Sequence, residues 1–93
     1  VVAGLISSMS GGGYPKVGPK TYEFGKALTT VFNQRRPEEL PRVRRIIDDA
    51  LQTKSITSYE HSVLSRLIDR AADGDWTGAE LEVRRMLRDQ NKW

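Results

Sequence analysis

ITSYEHSVLSRLIDRAADG, residues 56–74, is the stretch whose reading decides the fold. Its apolar positions Tyr59, Val63, Leu64, Leu67, Ile68, Ala71 and Ala72 recur mostly at intervals of three and four, the period of an α-helix rather than the alternation of a strand. Thr57 and Glu60 form a T-x-x-E capping box, in which each side chain satisfies a free backbone N–H at the other's position. Gly74 suits the left-handed residue that closes a helix. So wide an apolar stripe needs neighbours on several sides, which makes the helix expected over residues 57–73 the central one.

The same device recurs twenty positions later. Thr77 and Glu80 make a second T-x-x-E box, and Trp76 stands where it can staple onto Leu81. A helix over residues 77–90 then buries Ala79, Val83, Met86 and Leu87. Upstream, a helix expected over residues 38–52 turns Leu40, Val43, Ile46, Ile47, Ala50 and Leu51 inward, with Pro41 tolerated in its first turn. A helix over residues 21–34 places Phe24, Ala27, Leu28, Val31 and Phe32 on one stripe, with Thr21 as N-cap. No segment alternates as a strand does. The expected fold class is therefore all-α, a small bundle of about four helices.

Residues 7–20 are dominated by Gly, Ser, Pro and Lys and lack periodicity. Residues 1–20 read as a flexible arm or linker, and residues 21–93 as the bundle domain. The glycines at 11–13 follow no apolar strand and precede no GK[ST], so they do not read as a phosphate loop. The pattern Ile56-Thr57-x-x-Glu60-x-x-Val63-x-x-x-Leu67-x-Asp69 matches Trp76-Thr77-x-x-Glu80-x-x-Val83-x-x-x-Leu87-x-Asp89. Shared capping chemistry and a shared core period account for that repeat.

Composition narrows the function classes. A chain of 93 residues forms one domain with a modest core, and 38% hydrophobic with 29% charged residues is a globular balance. Without cysteine there is no disulfide or thiolate chemistry. The longest apolar run, residues 1–6, is too short to span a bilayer and lacks the basic flank of a signal peptide. Those absences point to a cytoplasmic location without membrane association.

No catalytic apparatus emerges, and neither a cofactor nor a metal site is expected. From Asp69 onward, Asp73, Gly74, Trp76, Thr77 and Glu80 follow the spacing of a calcium-binding loop, but Ala71 stands where a ligand belongs. A degenerate calcium-binding helix-loop-helix is thus the weakest of the alternatives. His61, the single histidine, reads as a solvated surface residue beside Ser62 and Ser65, with no marked orienting carboxylate. Asp48 and Asp49 diverge on a helix and suit acid–base work poorly.

The arginines are more informative, and they fall into two groups. Glu80 and Glu82 precede Arg84, Arg85, Arg88 and Lys92 on the fourth helix, an order that agrees with the helix dipole. Leu81, Arg84, Arg85 and Arg88 also share the face opposite the core stripe, a basic surface with an apolar centre if Trp76 leaves Leu81 uncovered. The second helix breaks the rule. Arg35 and Arg36 precede it and Arg42, Arg44 and Arg45 crowd its first turns, where each positive charge opposes the dipole by about 0.3–1 kcal/mol. Glu38 and Glu39 offset part of this, and Arg44–Asp48 and Arg45–Asp49 are available as pairs.

The expectation is a non-catalytic interaction or adaptor module that binds an acidic or mixed protein surface through Arg35, Arg36, Arg42 and Arg45, with Leu81, Arg84, Arg85 and Arg88 as a second face. A nucleic-acid phosphate-backbone binder is the alternative, although the net charge is only +3. Self-assembly through Trp76 and Trp93 is a third expectation.

Overall fold

The computed structural model describes residues 15–90. Four α-helices are found among them: α1 (Pro19–Gln34), α2 (Leu40–Gln52), α3 (Ser58–Ala72) and α4 (Trp76–Asp89), with a 3-10 turn over Pro37–Glu39 leading into α2. No described residue is in a strand. The all-α expectation holds. The most extensive pairing joins α1 to α4, while α3 packs against α1, α2 and α4, the central place its wide apolar stripe requires.

The core is one continuous cluster. Leu28 and Phe32 of α1, Ile47 of α2, Leu64 and Ile68 of α3, and Val83 and Met86 of α4 are fully buried within it. Gly25 brings α1 close to α4, since a Cβ there would lie 2.8 Å from Leu87 Cδ2 and 2.9 Å from Met86 Cε. Four residues expected on the core faces stay outside, the small Ala27 and Ala72 among them. Ile46 is 43% exposed and Tyr59 39%. On α2 the edge nearest α3 is held by Arg44 and Asp48, which bond to Asp69 and His61. Ile46 follows Arg44 by two residues, about 200° around the helix, and so faces away from that neighbour.

Three of the helices end in the same way. At α1, α2 and α3 the residues Arg35, Lys54 and Gly74 adopt positive φ, and paired backbone bonds close the last turn. Arg35 N–H donates to the Phe32 carbonyl and Arg36 N–H to that of Val31, a Schellman motif; Lys54–Ser55 and Gly74–Asp75 repeat it. Only the last uses glycine, as expected at Gly74. In the left-handed region a residue with a Cβ carries a cost of about 1–2 kcal/mol.

The starts differ more from expectation. At α3 the capping box forms in full: Thr57 N–H donates to Glu60 Oε1 (2.7 Å) and Glu60 N–H to Thr57 Oγ1 (3.1 Å). At α1 the helix begins at Pro19, two residues before the expected cap, because proline at the first position needs no N–H partner and already has helical φ. Thr21 is fully buried instead of capping. At α4 the cap is Asp75, whose carboxylate accepts from Gly78 N–H (3.0 Å), so Thr77 and Glu80 do not form a second box. Asp75 prevails because Arg70 Nε also donates to it (2.7 Å), and because an anion suits the positive end of the helix dipole.

Part of the expected arm belongs to the bundle. Gln90 grips residues 15–17 with both ends of its amide, accepting from Val17 N–H (2.9 Å) and donating to the Pro15 carbonyl (3.0 Å). Glu60 Oε2 accepts from Gly18 N–H at 2.7 Å, so one carboxylate serves the starts of both α1 and α3. The rest of the expected arm, residues 1–14, lies outside the described residues, as do residues 91–93 with Lys92 and Trp93.

Candidate interaction surface

The outer face of α4 follows from where its first residue goes. Trp76 packs edge-on against Phe32, with ring centroids 6.3 Å apart and planes at 63°. It therefore turns into the core and does not staple onto Leu81. Leu81 is left 65% exposed, the most exposed large hydrophobic among the described residues. Arg84, Arg85 and Arg88 follow it by three, four and seven residues, and all three are exposed. At 100° per residue these positions lie opposite the buried Ala79, Val83 and Met86. A side chain of this size in water, ringed by guanidinium groups, contributes nothing evident to the fold.

The arginines on this face are not equivalent. Arg84 is held by Glu80 four residues before it, Nη2 to Oε2 at 2.8 Å. Arg85 and Arg88 have no ion-pair partner among the described residues. Arg35, from the end of α1, joins the same end of the surface: its Nη2 donates to Thr77 Oγ1 at 3.1 Å. Asn33 Nδ2 donates to Glu80 Oε2 at 3.2 Å. Arg84 chiefly, with Asn33 and Arg35 adding, holds the Glu80 carboxyl below the usual carboxylate range against a smaller opposing push from desolvation. The face is thus neutralised toward its N-terminal half and cationic toward its C-terminal half.

The start of α2 is different from what its sequence suggested. Arg42 pairs with Glu39 at 2.6 Å, and Arg44 reaches across to Asp69 of α3 at 2.6 Å rather than pairing with Asp48. Asp48 instead accepts the contact of His61 Nε2 at 2.7 Å. Two of the charges that opposed the dipole, Arg42 and Arg44, are thereby matched by carboxylates, the second from α3. Arg36 and Arg45 remain without an ion-pair partner among the described residues. Arg44 and Arg45 line an open groove of about 520 Å³ together with Pro37, Pro41 and Ala72. The structure brings Arg42 and Arg45 onto one turn of α2, and separates Arg35 from them by directing it to α4.

No family model, curated protein or solved structure matches the chain.

The chemistry-bearing residues can be placed just as directly. His61 is half-buried against Asp48, not freely solvated as expected, and neither Ser62 nor Ser65 hydrogen-bonds to it. Asp69 and Glu80, the ends of the calcium-like spacing, are committed to Arg44 and Arg84. Among the described residues no three His, Asp or Glu side chains converge as metal ligands. No helix among them is long and apolar enough to cross a membrane. The sequence signal for the α4 face was present in the spacing of Leu81, Arg84, Arg85 and Arg88; the missing element was the direction of Trp76.

Proposed function

We propose that this protein is a non-catalytic interaction module that binds an acidic, partly apolar protein surface through the outer face of α4. The observation that supports this most is Leu81, 65% exposed at the head of a face where Arg85 and Arg88 have no ion-pair partner among the described residues. Arginine suits such contacts because its planar fork grips carboxylates in pairs. Arg36 and Arg45 form the secondary cationic region near α2. The same free arginines would also suit phosphates, but a phosphate backbone offers nothing to cover Leu81, and Glu80 within the face would repel it.

Three forms of the protein test the proposal in affinity capture from a cell extract: wild type, Arg85→Glu/Arg88→Glu and Arg36→Glu/Arg45→Glu, each checked for helicity by circular dichroism. The expected result is a protein retained by wild type and by the α2 variant and lost from the α4 variant. Identical captures by all three would overturn the reading. So would generic RNA binding at micromolar concentration that falls steeply between about 50 and 200 mM salt.

A further inference from the structure

The partner chemistry can be narrowed from the spacing and polarity of the α4 face, an inference that rests on the reading just given. A second copy of this chain is a poor occupant. A two-fold contact through this face would set one copy's patch, with Arg84, Arg85 and Arg88, against the same patch of the other. Among the described residues the carboxylates without an ion pair or hydrogen bond, Glu38, Asp49 and Asp73, stand apart in sequence, in the 3-10 turn, on α2 and just after α3. The complement must come from another chain that carries several carboxylates beside an apolar side chain.

Spacing favours a helix as that complement. Leu81, the pair Arg84/Arg85, and Arg88 climb α4 in steps of one turn, about 5.4 Å each. Carboxylates three to four residues apart on a second helix repeat at the same step. On an extended strand, same-face side chains recur at about 6.6 Å, and the mismatch accumulates over successive contacts. The charge gradient along α4 then sets direction. Its arginines without an ion-pair partner among the described residues lie toward its C-terminus, and carboxylates on a helix are most favourable in the first turns. The two preferences are met together only if the partner runs antiparallel, its acidic N-terminal turns beside Arg88 and Arg85 and its apolar residue beyond them on Leu81.

We infer that the outer face of α4 takes an antiparallel amphipathic helix in which acidic residues precede the apolar anchor by about four and about seven positions. Charge complementarity with Arg85 and Arg88 and burial of Leu81 provide the binding. Glu80 discourages acids at the other end, which gives the site its polarity.

Two fluorescently labelled, end-blocked synthetic peptides of identical composition test this by anisotropy in about 50 mM salt. One carries glutamates before its leucine at the stated spacing, and the other is the same sequence reversed. The first is expected to bind about tenfold more tightly than the second, and to lose about tenfold on Arg85→Glu/Arg88→Glu and severalfold on Leu81→Gln. Equal affinities that both fall on the charge-reversal variant would overturn the antiparallel helix while leaving the α4 face as the protein-binding surface. Affinities unchanged by the variant would overturn both. Binding by neither peptide overturns the inference, as does displacement of the first peptide by polyuridine RNA at lower concentration than unlabelled peptide.

Discussion

Replacing Glu60 with glutamine should weaken the fold most where two helices start together. Glu60 is only 7% exposed, and its two oxygens accept from Thr57 N–H and Gly18 N–H, both at 2.7 Å. An amide keeps one accepting oxygen and turns an NH2 toward the other donor. One charge-assisted bond is lost and a backbone N–H is left facing a donor, at a cost of about 1–3 kcal/mol. For a domain of this size that is a fall in Tm of roughly 5–20 °C. The pH dependence is the sharper signature. Burial pushes the Glu60 carboxyl up, but the Gly18 and Thr57 N–H groups, with the nearby Thr57 and Thr21 hydroxyls, outweigh it and hold the pKa below the usual carboxylate range. The Thr21 hydroxyl beside it is fully buried and completes no hydrogen bond among the described residues. A depressed folded-state pKa contributes stability that is present above the unfolded value, about 4.3, and is lost as pH falls through the folded value. Thermal melts followed by circular dichroism from pH 7 to about pH 3 should therefore show a shallower acid limb for Glu60→Gln than for wild type. Parallel acid limbs, or an unchanged Tm at pH 7, would refute the assignment of Glu60 as the shared cap.

Other expectations follow from the helix ends and the core. Asp75→Ala should lower Tm while Thr77→Ala leaves it nearly unchanged, the reverse of what the sequence pattern implies; melts of the two variants decide between the caps. Lys54→Gly should stabilise by about 0.5–1 kcal/mol, since it relieves a left-handed residue at φ 62°, and urea denaturation would show it. Phe32→Ala removes a fully buried ring that also meets Trp76, and should cost about 3–5 kcal/mol by the same assay.

What the sequence made legible was what depends on near neighbours. The period of residues 59–72 and the Thr57–Glu60 box located α3 to within a residue, because both signals act within single helical turns. Competition between adjacent signals was not legible. Asp75 and Thr77 are both good caps, and the choice between them depends on Arg70, five residues earlier, and on the space at Gly78, where a Cβ would collide with the Asp75 carboxylate. Charge pairing across helices was equally hidden. The sequence offered Asp48, four residues on, as the partner of Arg44, yet the bond goes to Asp69, 25 residues on. That one long-range contact, with Arg42–Glu39, moved the candidate site away from the start of α2. On α4 the spacing of Leu81 with Arg84, Arg85 and Arg88 had already marked the face, and only the fate of Trp76 was missing. Arg35 could not have been assigned to that face from sequence, since Thr77 is 42 residues away.

The outer face of α4 as the binding surface is tested most directly by backbone amide chemical shifts of isotopically labelled protein titrated with an acidic amphipathic peptide. Perturbations are expected to cluster on residues 77–88, centred on Leu81, Arg85 and Arg88, with little change at the start of α2. Shifts concentrated on Arg42 and Arg45, or spread evenly over the bundle, would contradict it.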